Sequence, residues 1–320
     1  MKARRRRLMI AAASLAFLFT VALLPWFPVT SEPAPSEING EYLVESVTIC
    51  FECHSERDFS KPGWPIPTGR KGSGRVLRGE GRPDAIVARN ISPDKEAGIG
   101  AWTDEEIKRA IVAGVGRDGR QLHPEMPYGY FNLLSASELD AIVKYLRSIP
   151  PVKNALPKMA AYVPGPNPPR VAMDRIPLTA HSSAIQRGQY LVRLAGCETC
   201  HTPRNAEGFI KGMDFAGGSV FRHGDEQAAA SSNLTPDPTG IAQYNGQQFV
   251  EVMRTGRSRG RLLHSAMPWH FYRNMTDSDL KAIFAYLNAL PAIPHEIDNL
   301  QPPSFCPKCR NEHGLGDRNR

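Results

Sequence analysis

The chain has 320 residues, 41% hydrophobic and 22% charged, a composition that argues against an intrinsically disordered protein. Its formal charge of +7 does not indicate nucleic-acid binding, because five of the positive charges lie in the first seven residues. Beyond them 34 Lys and Arg residues face 32 Asp and Glu residues, so no nucleic-acid partner is expected.

The N-terminal segment, residues 1–37, has the pattern of an export signal, with the basic MKARRRR followed by an apolar run. Leu8–Leu24 supplies 17 mostly apolar residues, near the lower limit for a membrane span. The best small-residue cleavage site, Thr20–Ala22, lies inside that run, so cleavage is left open. A signal or membrane-anchor helix is expected, with the rest of the chain exported to the periplasmic side.

The remainder of the chain contains one unit twice. GEYLVESVTICFECHSERD from Gly40 matches GQYLVRLAGCETCHTPRN from Gly188, with one residue more before the first cysteine of the first copy. NISPD and NLTPD follow, then DGRQLHPEMPYGYF and RGRLLHSAMPWHFY, in the same order and at similar spacing. The sequence therefore predicts two tandem copies of one domain.

Each copy is predicted to be helical. Capping boxes begin helices at Thr103 and Ser135, and Gly114 and Pro150 end them. A counterpart of the last helix runs from Thr276 to Pro291, and shorter helices lead into the cysteine pairs. With no alternating strand pattern, the expected fold is all-α.

The predicted organisation has five parts. They are an N-terminal signal or anchor (1–37), a first domain (38–152), a proline-rich linker (153–181), a second domain (182–295) and a tail (296–320).

All six cysteines occur in Cys-x-x-Cys pairs, and the first two pairs are each followed by histidine. A zinc site needs four ligands, but these pairs lie in separate repeats, and a thioredoxin-like dithiol needs a parallel sheet that the pattern does not offer. Two thiols at this spacing match the vinyl groups of one porphyrin, and the adjacent imidazole reaches its iron. The sequence therefore predicts two covalently bound haem c groups, held by Cys50, Cys53, Cys197 and Cys200 with iron ligands His54 and His201.

Met126 and Met267 are the candidates for the sixth iron ligand. Of nine methionines only these occupy matching positions, each before a proline in a loop, and a thioether suits haem iron. The alternatives are that they fill the core, or that His123 and His264, three residues earlier, ligate iron instead.

These motifs resemble the cytochrome c subunits of bacterial membrane-bound alcohol, aldehyde and sugar-acid dehydrogenases. The likeness rests on Cys-x-x-Cys-His, N-[IL]-[ST]-P-D, G-I-x-x-[WY] and Met-Pro-[WY], over about Gly40–Val152 and Gln186–Pro294. It implies tandem cytochrome c domains that carry single electrons from a membrane-bound or periplasmic dehydrogenase towards quinone or a terminal oxidase. Many members have three haem domains, and this chain has two.

The third pair, Cys306 and Cys309, is followed by Arg310 and does not form a standard haem motif. A disulfide or a loosely ordered tail is expected for an exported chain. Metal binding with His313 lacks a fourth ligand from the sequence alone.

The expected activity is electron transfer without chemistry on a substrate. The alternative is a dihaem enzyme, such as a peroxidase or a thiosulfate-oxidising cytochrome, which needs one iron with an open or unusual sixth position.

Overall fold

The cysteine pairs and the helices around them recur in two similarly built halves of the fold. The structure is a computed structural model that describes residues 39–61, 63–82, 84–160, 162, 182–222 and 227–320. Glu37–Arg320 forms one compact unit. The predicted signal or anchor, Leu8–Leu24, lies outside the described residues.

The helices keep the same order in both repeats. The first repeat contains α1 (Gly40–Tyr42), which continues as a π-helical turn (Leu43–Val47), α2 (Cys50–Cys53), α3 (Asp104–Ala113), α4 (Tyr128–Phe131) and α5 (Ala136–Ser148). The second contains α6 (Ala184–Leu194), α7 (Cys197–His201), α8 (Gly246–Thr255), α9 (Trp269–Tyr272) and α10 (Asp277–Leu287). In the described part of the chain, none of these helices combines the length and hydrophobicity that a bilayer span needs.

The expectation of an all-α fold is wrong, because short antiparallel hairpins lie between the helices. The pairs are β1 (Arg75–Arg78) with β2 (Ile86–Ala88), β3 (Arg204–Asn205) with β4 (Gly208–Phe209), β5 (Val220–Phe221) with β6 (Ala229–Ala230), β7 (Arg257–Ser258) with β8 (Arg261–Leu262), and β9 (Pro303–Phe305) with β10 (Glu312–Gly314). Strands of two to four residues are too short to show alternation, which explains why the sequence did not predict them.

The capping residues set the helix boundaries as the sequence predicted. The side chains of Thr103 and Ser135 accept from the backbone N–H three residues on, and the glutamates there bond back, so α3 and α5 begin with capping boxes. α3 ends at Gly114, which has the left-handed φ of 64°. On α5 the predicted apolar face is buried, with Leu139, Ile142, Val143 and Leu146 at most 9% exposed.

The π-helical turn accounts for the extra residue of the first repeat. Gly40 precedes Cys50 by ten positions, whereas Gly188 precedes Cys197 by nine. A π-helical turn takes up one residue more than an α-helical turn. Both approaches then end in a left-handed residue, Ile49 with φ 43° or Gly196 with φ 67°, so the two cysteine helices begin in the same way.

Close helix crossings fix these lead-in helices in place. A Cβ on Gly40 would lie 2.0 Å from the carbonyl oxygen of Ala141 in α5, and one on Gly188 would lie 1.9 Å from that of Ala282 in α10. Only glycine permits so close an approach of two backbones. The paired glycines therefore let the first and last helices of each repeat cross in contact.

The two repeats pack against each other through reciprocal hydrogen bonds. The Tyr42 hydroxyl donates to Asp279 of the second repeat (2.7 Å), and the equivalent Tyr190 hydroxyl donates to Glu138 of the first (2.8 Å). Correspondingly, α4 contacts α6, and α9 contacts the π-helical turn. One contiguous cluster of buried apolar side chains includes members of both repeats.

A polar contact adds to this interface beside the first cysteine pair. Nη2 of Arg57 in the first repeat lies 2.6 Å from Nε2 of His270 in the second repeat. The Arg57 guanidinium also forms an ion pair with Glu52. Burial alone would raise the pKa of the Glu52 carboxyl, but the hydrogen bond from His270 and the charge of Arg57 lower it overall. Glu52 therefore stays ionised and pairs with the Arg57 guanidinium.

Candidate functional site

A single cavity of about 2090 Å³ lies between the two repeats and is bordered by both cysteine motifs. All the predicted cofactor and iron ligands line it: Cys50, Cys53, His54, Met126, Cys197, Cys200, His201 and Met267. The structure therefore brings together, around one space, residues that are separated by more than 200 positions in the sequence.

The cysteines of each motif lie on one short helix. In α2 and α7 the two cysteines are three positions apart, which places both thiols on the same face of one helical turn. Burial raises the pKa of the Cys53 and Cys197 thiols to about 12, and it also raises the pKa of Cys50 and Cys200. Since the thiolate is the reactive form, the polypeptide does not offer a reactive redox dithiol here.

A backbone carbonyl orients each motif histidine. Nδ1 of His54 lies 2.6 Å from the carbonyl oxygen of Arg89, and Nδ1 of His201 lies 2.8 Å from that of Ser232. Because a carbonyl only accepts, Nδ1 carries the proton and Nε2 keeps its lone pair. Burial lowers the pKa of both imidazoles, so each is neutral and able to ligate iron through Nε2.

The N-[IL]-[ST]-P-D motif fixes the loop that supplies this carbonyl. Asn90 follows Arg89, and its amide oxygen accepts from the Ser92 backbone (2.8 Å) while its amide nitrogen donates to the carbonyl of Val152 (2.7 Å). Asn233 repeats the arrangement in the second copy, with 2.9 Å to the backbone N–H of Thr235 and 2.8 Å to the carbonyl of Ile293. In the sequence this motif indicated only the repeat and the family resemblance. Because the motif occurs once with each cysteine pair, its repetition was a signal that could have indicated a role in holding the loop beside the motif histidine.

The two candidate methionines occupy matched turns. The Met126 N–H donates to the His123 carbonyl, and that of Met267 donates to the His264 carbonyl, at 3.0 Å in both cases. Each methionine precedes the proline that caps α4 or α9, and each is packed against the main apolar cluster. Both therefore border the cavity from loops of equivalent geometry.

His123 and His264 also border the cavity, but their ring nitrogens are used within the loop. Nδ1 of His123 accepts from the Glu125 N–H (3.2 Å), and Nδ1 of His264 accepts from the Ala266 N–H (3.1 Å). An Nδ1 that accepts is unprotonated, so the proton of the neutral ring is on Nε2, which cannot then ligate iron. This geometry favours the methionines over the histidines as sixth ligands.

The zinc interpretation of the first two cysteine pairs gains no support. In the part of the chain that the structure describes, three or more His, Cys or acidic ligand atoms converge at one place only, in the tail, and no residue of a Cys-x-x-Cys-His motif takes part.

The tail itself is ordered, since Cys306 and Cys309 are fully buried and unbonded to each other. The expected disulfide or loose tail is therefore wrong for this structure.

Comparison with known proteins gives the context of the site. No family model matches the chain. It is 28% identical over 304 residues to the cytochrome c subunit of a quinone alcohol dehydrogenase from Gluconobacter oxydans, covering 87% of this chain and 60% of the relative. It is 28% identical over 305 residues to the fructose dehydrogenase cytochrome subunit of Gluconobacter japonicus, covering 85% and 58%.

A shorter relative matches over most of its own length. This is a diheme cytochrome c-type protein of Cereibacter sphaeroides, 27% identical over 260 residues, with 76% of this chain and 82% of the relative covered. By contrast, the chain spans only about 60% of the length of the two dehydrogenase subunits. The resemblance expected from the motifs is confirmed: this chain is similar to the cytochrome c subunits of bacterial dehydrogenases.

Proposed function

We propose that the chain is a dihaem c-type cytochrome that carries single electrons from a partner dehydrogenase. The observation that carries the proposal is the shared cavity, onto which two complete sets of two cysteines, one histidine and one methionine open. Its volume of about 2090 Å³ is roughly twice the upper end of about 1,000 Å³ for a single small-molecule site. The space and the donor sets fit two haem groups.

Each set of residues has a defined task. The four thiols of α2 and α7 form the covalent links, and Nε2 of His54 and His201 is held ready for iron by the carbonyl at Nδ1. Met126 and Met267 would each supply a thioether ligand to a haem iron. The bound haem supplies one-electron redox chemistry.

Much of the cavity wall is apolar. Apolar side chains such as Ile99, Ile107 and Leu234 line it together with the motif residues. A low-polarity, rigid surrounding limits how much must rearrange when charge changes, and it tunes the reduction potential. Because both donor sets border the same cavity, electrons can pass between the two sites without leaving the protein.

The relatives support the assignment of a partner. Two of them are named as subunits of alcohol and fructose dehydrogenases, so the electron donor proposed here is the reduced cofactor of such a dehydrogenase. The acceptor side, quinone or a terminal oxidase, is proposed by the same analogy. The basic and apolar start of the sequence supports action on the periplasmic side.

Haem counting tests the central claim. In exported, purified protein we expect two haem irons per chain and a low-spin haem c spectrum after reduction with dithionite. Replacing Cys50 and Cys53 with serine, or Cys197 and Cys200 with serine, should each leave one haem per chain. A wild-type count of one or none would overturn the dihaem assignment.

Carbon monoxide separates an electron carrier from an enzyme. Closed iron does not bind it, so the reduced wild-type protein should give an unchanged spectrum, whereas Met126→Ala and Met267→Ala should each open one site. Binding by the wild type at one equivalent per chain would instead support a peroxidase-like or thiosulfate-oxidising enzyme.

A further inference from the structure

Four metal-ligating side chains converge where the tail meets the second repeat, and none of them belongs to a Cys-x-x-Cys-His motif. His295, Cys306, Cys309 and His313 each offer one ligand atom, and these atoms all lie within 4.8 Å of one another. All four are buried, with exposures of 0% for the first three and 3% for His313. The set combines two sulfur and two nitrogen donors, the ligand chemistry of structural zinc.

The hairpin β9–β10 builds one side of this cluster. Cys306 follows β9, and its N–H donates to the Asn311 carbonyl (2.9 Å), while the Arg310 N–H donates back to the Cys306 carbonyl (2.8 Å). Arg310 adopts a left-handed φ of 58°, which turns the chain back into β10 directly after Cys309. This tight turn brings both thiols and His313 to the same side.

His295 is the ligand that the sequence analysis missed. It lies 11 residues before Cys306, just after the last helix, outside the spacing that a Cys-x-x-Cys pattern suggests. Its Nδ1 lies 2.8 Å from the carbonyl oxygen of Ala216, so Nδ1 carries the proton and Nε2 faces Cys306 Sγ at 3.3 Å. A carbonyl partner on the second ring nitrogen is the usual support of a metal-binding histidine.

His313 completes the set with a buried nitrogen that has no hydrogen-bond partner. Its Nδ1 lies 2.9 Å from the Gly314 carbonyl, and Nε2 is buried without a partner. A buried polar group without a partner destabilises the fold unless something binds it. A disulfide between Cys306 and Cys309 would leave this nitrogen unsatisfied, whereas a metal ion would use it.

We propose that His295, Cys306, Cys309 and His313 bind one Zn²⁺ ion in tetrahedral coordination. Binding releases one proton from each thiol, so two thiolates balance the ion and the buried site is neutral overall. Four protein ligands fill the coordination sphere, which makes the role structural.

The metal ion would clamp the tail onto the second repeat. The carbonyl that orients His295 belongs to Ala216, and the next residue, Gly217, donates its N–H to the carbonyl of His201 at 2.7 Å. Within the tail, the Asn299 side chain pairs with both backbone groups of Ala230, and Leu300 borders the large cavity. Zinc would thus hold in place the segment that covers the second half of this cavity.

Elemental analysis of the full exported chain tests the site independently of haem. We expect one zinc per chain besides the haem iron, and zinc-edge X-ray absorption should give two sulfur ligands at about 2.3 Å and two nitrogen ligands at about 2.0–2.1 Å. Cys306→Ser and His313→Ala should lose the zinc and keep the haem iron. Phe305→Ala, which changes an exposed neighbour of Cys306, should keep both.

Other outcomes would overturn the proposal. A Cys306–Cys309 disulfide found by mass spectrometry, with no zinc in protein purified without chelators, would replace it. Zinc with only oxygen and nitrogen neighbours would assign the ion elsewhere. The absorption measurement uses the wild type, so it decides even if the variants fail to fold, and the haem count separates a failed zinc site from a failed dihaem assignment.

Discussion

Substituting Gly188 tests the close helix crossing that positions the second cysteine motif. In Gly188→Ala the new Cβ would lie 1.9 Å from the Ala282 oxygen, where an ordinary contact begins at 3.4 Å. The Ala282 oxygen belongs to the backbone and cannot rotate away as a side chain could. The helices α6 and α10 must therefore separate by about 1.5 Å, the difference between these two distances.

The expected loss of stability follows from two opposing effects. Overpacking costs about 1–3 kcal/mol, and a backbone obstacle places this case at the upper end. Alanine gains about 1 kcal/mol over glycine in a helix. The net loss is therefore about 2 kcal/mol, and the melting temperature of a unit of this size should fall by about 4–8 °C.

Gly246→Ala is the matched control. Gly246 is the first residue of α8, and its added Cβ would meet only Lys281 and Phe284 side-chain atoms at 3.7 Å. This variant should melt at or slightly above the wild-type temperature. Calorimetry on the haem-loaded proteins measures both variants. A Gly188→Ala protein as stable as the control would refute the close crossing and the role assigned to the paired glycines.

The remaining predictions concern the interface, the sixth ligand and the loop clamp. Burial and the hydrogen bond to Asp279 raise the pKa of Tyr42 to about 12, so above pH 10 the unfolded state loses this proton first. Stability should therefore fall between pH 10 and 12, and thermal melts of Tyr42→Phe should show a shallower fall; an identical pH profile would argue against this bond. His264→Ala should cost about 1 kcal/mol by removing a loop hydrogen bond, yet the reduced protein should not bind carbon monoxide, because Met267 remains. Carbon monoxide binding by this variant would identify the histidine as the ligand. Asn233→Ala should lower the free energy of unfolding by about 1–3 kcal/mol, because it leaves the buried Thr235 N–H without its partner, and chemical denaturation measures the loss. An unchanged denaturation midpoint would show that Asn233 does not hold this loop in place.

Local signals in the sequence predicted the features that depend on neighbouring residues. The capping boxes at Thr103 and Ser135 and the C-terminal Gly114 gave the limits of α3 and α5, because caps act within one turn. The order of the repeated motifs indicated which residues belong together. The sequence did not predict that both cysteine motifs border one cavity, because this arrangement arises from the packing of two repeats that are far apart along the chain.

Features that depend on distant or very short contacts were missed. The hairpins contain too few residues for a periodic pattern, and the all-α expectation failed for this reason. His295 has no neighbouring cysteine in the sequence and reaches the tail only because the chain folds back after α10. The π-helical turn was visible only as one unexplained extra residue before Cys50.

The reciprocal bonds of Tyr42 and Tyr190 give the molecule the interface of a symmetric dimer made from one polypeptide. Two separate copies would dissociate on dilution, whereas two halves of one polypeptide stay together. A true homodimer would also have identical centres. Joining the halves lets each position on one side vary independently of its counterpart. Gly129 therefore stands where the second repeat has His270, which contacts Arg57, and the two proposed haem sites need not have the same potential.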